Sequence, residues 1–256
     1  MSSSPTSSLP ELTADTQRAQ VRAHYADRAT DQGCSCGCGA QANDVCCSDD
    51  TPTQAQDYNA RLGYSAEELA AVPADADLQL GCGNPFALAD FQPGATVLDL
   101  GSGAGFDAFI AARALAGSGR VIGVDMTPEM VTRARRNAAE NEHANVEFRL
   151  GEIEALPLPD TSVDLIISNC VINLSPDKAA VFREIFRVLR PGGRLSLSDV
   201  VTRAPLPTEL REDATLLAGC IAGTETIERL HAWLEAAGFV DIRFSTKDES
   251  RSVIES

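Results

Sequence analysis

Apolar positions along this chain follow two rhythms. Between residues 95 and 200, short apolar runs alternate with longer stretches in which apolar residues recur every three or four positions. The runs ATVLDL (95–100), RVIGVD (120–125), NVEFRL (145–150), VDLIIS (163–168) and RLSLSDV (194–200) predict five strands. Side chains alternate faces along a strand, so near-continuous apolar runs mean that both faces are covered. The stretches between them predict helices over 105–116, 128–141 and 176–189. Thr127-Pro128 offers an N-cap and a proline at the first helical position, Ser175-Pro176 opens the third helix, and Arg190-Pro191-Gly192-Gly193 ends it. Such alternation predicts an α/β fold, a doubly wound and mostly parallel sheet with helices on both faces.

The flanks break this rhythm. Residues 14–29 predict a helix, whereas residues 31–53 hold glycine, serine, aspartate and five cysteines and read as a loop. Ser65-Ala66-Glu67-Glu68 is a capping box for a short helix that Pro73 stops. LGCGNP (80–85) is a turn. After the fifth strand come two helices, 208–222 and 225–237, the second closed by Gly238, and then a strand over 240–246. The expected division is a disordered tail (1–13), a helix, cysteine-rich loop and lid (14–94), a ligand-binding core (95–200), and a helical insertion with a last strand (201–256).

Composition narrows the function. A length of 256 residues suits one large α/β domain with additions. The net charge of −16 argues against nucleic acid as a partner, because its binders carry basic patches. No apolar run approaches the ~18 residues of a membrane span, and the first residues lack the basic start and apolar centre of a secretory signal. The expectation is a cytoplasmic monomer without a membrane partner. Eight cysteines are many for such a chain, and in a reducing compartment they point to metal, metalloid or redox chemistry rather than a disulfide framework.

LDLGSGAGFD (98–107) sets Gly101, Gly103 and Gly105 between a strand and a helix. Glycines there let a ligand approach the backbone, and the helix start offers free N–H groups. The next strand ends in Asp125, placed to accept hydrogen bonds from ribose hydroxyls. Together these predict a nucleoside-containing cofactor. The GxGxG turn preceded by Asp99 resembles motif I of the class I S-adenosylmethionine methyltransferases. GEIEALPLPD (151–160) looks like their adenine-contacting segment, with Glu152 and Ile153 at the strand tip. The resemblance implies a Rossmann-like sheet with the cofactor across the carboxyl ends of its first two strands.

Three thiols fall near that edge. Cys170 lies just past the fourth strand, Cys82 in the turn before the first, and Cys220 in the insertion after the fifth. The topology allows them to converge where the cofactor's methyl should point. Three soft ligands without histidine suit a three-coordinate centre such as trivalent arsenic better than tetrahedral zinc. LGCGNP, VLDLGSGAGFD, GVDMTPEMV, SNCVINLSPDK, LSDVVTR and AGCIAG, in this order, resemble the arsenite S-adenosylmethionine methyltransferases.

That resemblance implies that Cys82, Cys170 and Cys220 bind As(III), and that Gly101, Ser102, Gly103, Asp125, Met126, Glu152, Ile153 and Asn169 line the cofactor site. It implies arsenite or its thiol adducts as substrate, and an external thiol reductant of the glutathione or thioredoxin type. It also implies a further N-terminal cysteine that pairs with Cys82 during turnover; distance along the chain favours Cys46 or Cys47 over Cys34, Cys36 and Cys38. The family's sheet ends in an antiparallel seventh strand, for which the residues after 246 offer no convincing candidate. Two rival readings are a methyltransferase acting on an organic small molecule and a non-catalytic thiol-rich metalloid-binding protein.

Overall fold

A computed structural model describes residues 13–30, 58–211 and 213–246. The cysteine-rich loop with Cys34, Cys36, Cys38, Cys46 and Cys47 lies outside the described residues, as do the N-terminal tail and residues 247–256.

Five parallel strands form the sheet: β1 (Thr96–Leu100), β2 (Arg120–Asp125), β3 (Val146–Leu150), β4 (Val163–Asn169) and β5 (Leu189–Ser198). Their spatial order is β3-β2-β1-β4-β5. The chain reverses direction across the sheet between β1 and β4, the switch point where open α/β sheets bind ligands. Leu98 sits beside Ile122 on one neighbour and Ile166 on the other.

Alternation then sorts the side chains. Val97, Val121, Leu165 and Ile167 pack on one face with α3 (Phe106–Ala114) and α4 (Pro128–Glu140). Leu98, Leu100, Ile122, Val124 and Ile166 pack on the other with α5 (Lys178–Val188) and α8 (Ile227–Ala237). Each such side chain taken from water contributes about 1.5–3 kcal/mol, enough to fix the register of every strand.

The first helix, α1 (Ala14–Thr30), matches expectation and lies against the main fold: Val21 and Ala29 are buried, and Arg133 Nη1 donates to the carbonyl of Ala29 (2.9 Å). The capping box is present at α2 (Ala66–Leu69), with Ser65 N–H donating to Glu68 (2.7 Å) and Glu68 N–H to Ser65 Oγ (3.2 Å).

Several elements depart from the sequence reading. Residues 240–246 form no strand: Val240 is 81% exposed and Asp241 has φ +54°, which breaks an extended run. Phe239 and Ile242 anchor this segment instead, at a spacing that no single strand face presents. The helix expected over 208–222 is two short ones, α6 (Thr208–Arg211) and α7 (Ala214–Ala218). Asp213 starts the second by accepting from Thr215 N (2.8 Å) and Leu216 N (3.0 Å). The helix expected from 225 begins at Ile227, because Glu225–Thr226 (β7) pairs in parallel with Val201–Thr202 (β6).

Ser175-Pro176 does not open α5. Asp177 does, its side chain accepting from Ala180 N (2.9 Å) while Ser175 Oγ accepts from Asp177 N (3.1 Å). Thr127 makes no side-chain cap at α4; Asp125 Oδ1 accepts the Thr127 N–H instead (2.8 Å). No helix among the described residues is long and apolar enough to cross a membrane.

Candidate functional site

A cavity opens at the carboxyl ends of β1, β2 and β4, holding roughly 1090 Å³ of empty space with its mouth included. The turn after β1 forms its floor. Gly103 takes φ +50°, and a Cβ there would meet nothing nearer than Met130 Sδ at 4.0 Å. The space over this backbone is therefore open to a ligand rather than filled by packing. Asp125 Oδ2 accepts the Gly103 N–H (3.0 Å), so this carboxylate ties the turn together as well as facing the cavity.

Two buried polar atoms on the cavity wall, Asp99 Oδ2 and Ser102 Oγ, have no protein partner. An orphaned buried acceptor costs about 1–3 kcal/mol, so such atoms mark where a ligand makes the missing bonds. Five carboxyl residues line the cavity, Asp77, Asp99, Asp107, Asp125 and Glu154, and three of them, Asp99, Asp107 and Asp125, are deeply buried or tied to the glycine turn. Burial pushes Asp125 up, against the N–H bonds from Thr127 and Gly103. Burial, then the nearby charges of Asp107 and Asp125, push Asp99 well up. Burial raises Asp107 to about 6, against bonds from Tyr64 and Asn169. Crowded acids of this kind favour a cationic guest, whose charge offsets theirs.

Asn169 joins this cavity to the turn that carries Cys82. Its Nδ2 donates to Asp107 Oδ2 (3.1 Å), Tyr64 Oη (3.0 Å) and Gly83 O (2.9 Å), and its Oδ1 accepts from Cys82 N (3.1 Å). Tyr64 Oη in turn donates to Asp107 Oδ1 (2.6 Å). Gly83 approaches Ser198 so closely that a Cβ would collide with its hydroxyl.

Beyond the ends of β4 and β5 the structure brings the sulfurs of Cys82 and Cys170 within 4.8 Å of each other and packs Cys220 against Cys170 in the same buried cluster. Cys170 lies between the other two. Its backbone N–H donates to Ser198 O (2.8 Å), and Cys220 Sγ lies 2.9 Å from Cys170 O. Cys170 and Cys220 are buried and Cys82 is half-buried. Both buried cysteines have positive φ, +58° and +60°. Val21, Leu174, Leu217 and Ala222 enclose them in an apolar shell.

The thiols are held protonated. The hydrogen bond with Cys170, then burial, push Cys220 far up. At Cys170 the bond from Cys220 lowers the value, but the bond with Cys82 and burial outweigh it. At Cys82 the bond with Cys170 lowers it, and burial with the charge of Asp199 raises it on balance.

Of the residues expected to line the cofactor site, Gly101, Ser102, Gly103, Asp125, Met126, Ile153 and Asn169 face the cavity, as does Cys170. Glu152 does not. Its carboxylate pairs with Arg22 (3.2 Å) and Arg18 (3.4 Å) of α1, and Glu154 lines the cavity instead. Cys46 and Cys47 lie outside the described residues.

Several contributors escaped the sequence reading. Arg18, Val21 and Tyr25 line the cavity from α1, at helical spacing on one face, and Tyr25 also donates to Ala218 O (3.3 Å) and packs against the cluster that holds Cys220. Asp199 lies just beyond β5 as Cys170 lies just beyond β4, and that matching offset was the available signal.

Comparisons place these features among known proteins. A family model described as a methyltransferase domain matches residues 91–238. An arsenite methyltransferase of Halobacterium salinarum is 52% identical over 242 residues, covering 93% of this chain and 61% of that protein. The human arsenite methyltransferase is 35% identical over 175 residues, covering 65% of this chain and 46% of that protein. An arsenic(III) S-adenosylmethionine methyltransferase from Chlamydomonas reinhardtii has a solved structure, similar at TM-score 0.58 and 39% identity over 72% of this chain and 62% of that one. The matches span about half to three fifths of these relatives' lengths.

Proposed function

We propose that this chain, which belongs to the methyltransferase-domain family, moves methyl groups from S-adenosylmethionine to trivalent arsenic held on cysteine sulfur. The observation that carries the reading is the clustering of Cys82 and Cys220 around Cys170, which itself stands on the wall of the cavity that the glycine turn opens. The 52% identity to an arsenite methyltransferase supports it.

S-adenosylmethionine supplies an electrophilic methyl on a positively charged sulfur. The residues suited to hold it are the turn 101–103, Asp125, Met126, Ile153 and Asn169, with Asp99 Oδ2 and Ser102 Oγ free to bond it. Asp99, Asp107 and Asp125 favour its positive charge, and α1 shields the site from water through Val21 and Tyr25.

Cys82, Cys170 and Cys220 would take arsenite, or its adduct with a small thiol, by exchange. Each thiol proton leaves with a departing oxygen or sulfur substituent, so three neutral thiols give a neutral three-sulfur centre. Burial suits that chemistry, because no charge has to be created in an apolar shell. Thiols held protonated are then compatible with loading. Cys170, central among the three and facing the cavity, would set the arsenic lone pair toward the arriving methyl; protein-supplied positioning is what such a transfer needs.

Methyl transfer uses the lone pair and leaves arsenic formally oxidised by two electrons. Cys82 with Cys46 or Cys47 would return them by closing a disulfide, which an external thiol of the glutathione or thioredoxin type reopens. The test is the full chain with arsenite, the cofactor and such a thiol, followed by arsenic speciation over time. Methylated arsenic that accumulates with enzyme and time is the expected result; its absence, or an undiminished rate in Cys170→Ser, would sink the three-thiol reading.

A further inference from the structure

Near Cys82 and Cys170 the sequence offers only sulfur, which favours a three-coordinate centre. The fold adds an oxygen. A carboxylate oxygen of Asp199 and the sulfurs of Cys82 and Cys170 all lie within 4.8 Å of one another. Cys170 is buried, while Cys82 and Asp199 keep partial access to solvent.

Asp199 is fixed in place. Its Oδ1 accepts from Asn173 Nδ2 (2.7 Å) and Val200 N (2.9 Å). Its Oδ2 accepts one longer bond, from Asn173 N (3.3 Å), and so keeps acceptor capacity. In a tetrahedral zinc site, sulfur at about 2.3 Å and oxygen at about 2.0–2.2 Å from the ion put donors roughly 3.5 Å apart. A contraction of about an ångström therefore turns this triad into three corners of a tetrahedron. The partial exposure of Cys82 and Asp199 leaves room for water at the fourth.

We propose that Cys82, Cys170 and Asp199 form a second site, overlapping the three-thiol one, for a thiophilic divalent cation of the zinc or cadmium kind. Binding breaks two S–H bonds, forms two metal–sulfur bonds and one metal–oxygen bond to the Asp199 carboxylate, and releases two thiol protons and the displaced water ligands of the cation to solvent; nothing is oxidised or reduced. The donor sets separate the two guests. Trivalent arsenic completes its shell with three sulfurs and a lone pair and has no use for the carboxylate, whereas a divalent cation takes it as a hard third donor. Cys220 belongs to one set and Asp199 to the other, while Cys82 and Cys170 are shared. Occupancy is therefore exclusive, and such a cation blocks arsenic loading. The blocking rests on the arsenic reading above; the cation site itself does not.

The test titrates cadmium into the full chain and reads the cadmium–thiolate ultraviolet band. Cys34, Cys36, Cys38, Cys46 and Cys47 are serine in every sample, so that they contribute nothing. Asp199→Asn is expected to weaken cadmium about 100-fold and Cys220→Ser by less than about 3-fold, the scale set by loss of a direct ligand against a bystander. Arsenite, titrated into the same samples, should show the reverse. Equal cadmium affinity in Asp199→Asn and its parent overturns the site. So does a loss in Cys220→Ser as large as that in Asp199→Asn, which would mean that cadmium uses the three thiols. Asp199→Glu keeps a carboxylate and should keep cadmium within about 10-fold; loss of both guests in Asp199→Asn and Asp199→Glu alike would mark Asp199 as structural and also count against the site. Failure of arsenite to bind the parent would remove the arsenic reading and the competition, and leave the cadmium pattern to be judged alone.

Discussion

The sheet and the segments that close over its edge are built differently. In the sheet, five strands and four helices bury Val97, Leu98, Ile166, Phe182 and their neighbours on both faces, and the ligand-facing turn is made of backbone. At the thiol side, the helix α1 closes over the turn 81–83 and over residues 199–226, which hold only short helices and two-residue strands. Side chains reaching to backbone groups join them, Asn169 to Gly83 and Cys82, Asn173 to Val200 and Tyr25 to Ala218, with one bond between side chains, Asn173 to Asp199. The glycine-turn half thus inherits rigidity from the core, whereas the thiol half owes its geometry to a handful of polar contacts. Substitutions in the two halves should fail in different ways.

Phe182→Ala should produce the largest effect, a loss of about 3–5 kcal/mol in urea unfolding, because it empties a fully buried site under the sheet. A loss under about 1 kcal/mol would mean that the core carries less than its burial implies. Cys170→Ser should leave stability nearly intact and lower turnover by more than about 100-fold, above the usual effect of removing an outer-shell partner. Cofactor affinity, read by calorimetry, should change less than about 3-fold, because the glycine turn and Asp125 remain. A matching collapse in cofactor binding would erase the division between the halves.

The acids of the cavity sharpen the comparison next. Burial raises Asp107 to about 6, so it ionises as pH rises through that value. A raised carboxyl stabilises the folded chain below its unfolded value near 4, and that contribution is lost as pH climbs past 6. A bound positive charge gains over the same window. The affinity of S-adenosylmethionine relative to S-adenosylhomocysteine, which lacks the sulfonium, should therefore rise on the order of 10-fold between pH 5 and 7.5. A flat ratio by competitive calorimetry would show that these carboxyl groups do not sense the sulfonium. The smallest effect belongs to Arg18→Ala. Its pairs with Glu152 and Glu154 at 3.4 Å should be worth about 1 kcal/mol or less, read as a few-fold rise in cofactor KM that fades at high salt.

What could be read from the sequence divides along the same line. The strands of the sheet, the glycine turn and Asp125 follow from apolar runs and local chemistry, which depend on near neighbours. Topology allowed Cys170 and Cys220 to share one edge, because strand ends in a parallel sheet share a side, and Cys82 could join them only if the turn before β1 folded over that edge. The failures lie where tertiary contacts override local preference. Asp213 caps a new helix inside the one expected over 208–222, and Glu225–Thr226 pairs with Val201–Thr202 across an insertion with no strand pattern. Glu152 was expected at the cofactor; α1 brings Arg18 and Arg22 to it from 130 or more residues earlier, a pairing that no local pattern signals. Asp199 follows β5 as Cys170 follows β4, but that shared offset becomes nearness only once β4 and β5 pair.

The left-handed backbone at Cys170 and Cys220 has an evolutionary reading. An L-residue in that conformation sits about 1–2 kcal/mol above its right-handed state, and glycine escapes the penalty. At both positions the substitution that eases the backbone also deletes a sulfur. A lineage selected only for heat tolerance, with no metalloid present, would be drawn toward glycine at residues 170 and 220. The persistence of cysteine there would then report exposure to the toxicant, much as an unused lock rusts first at its moving parts.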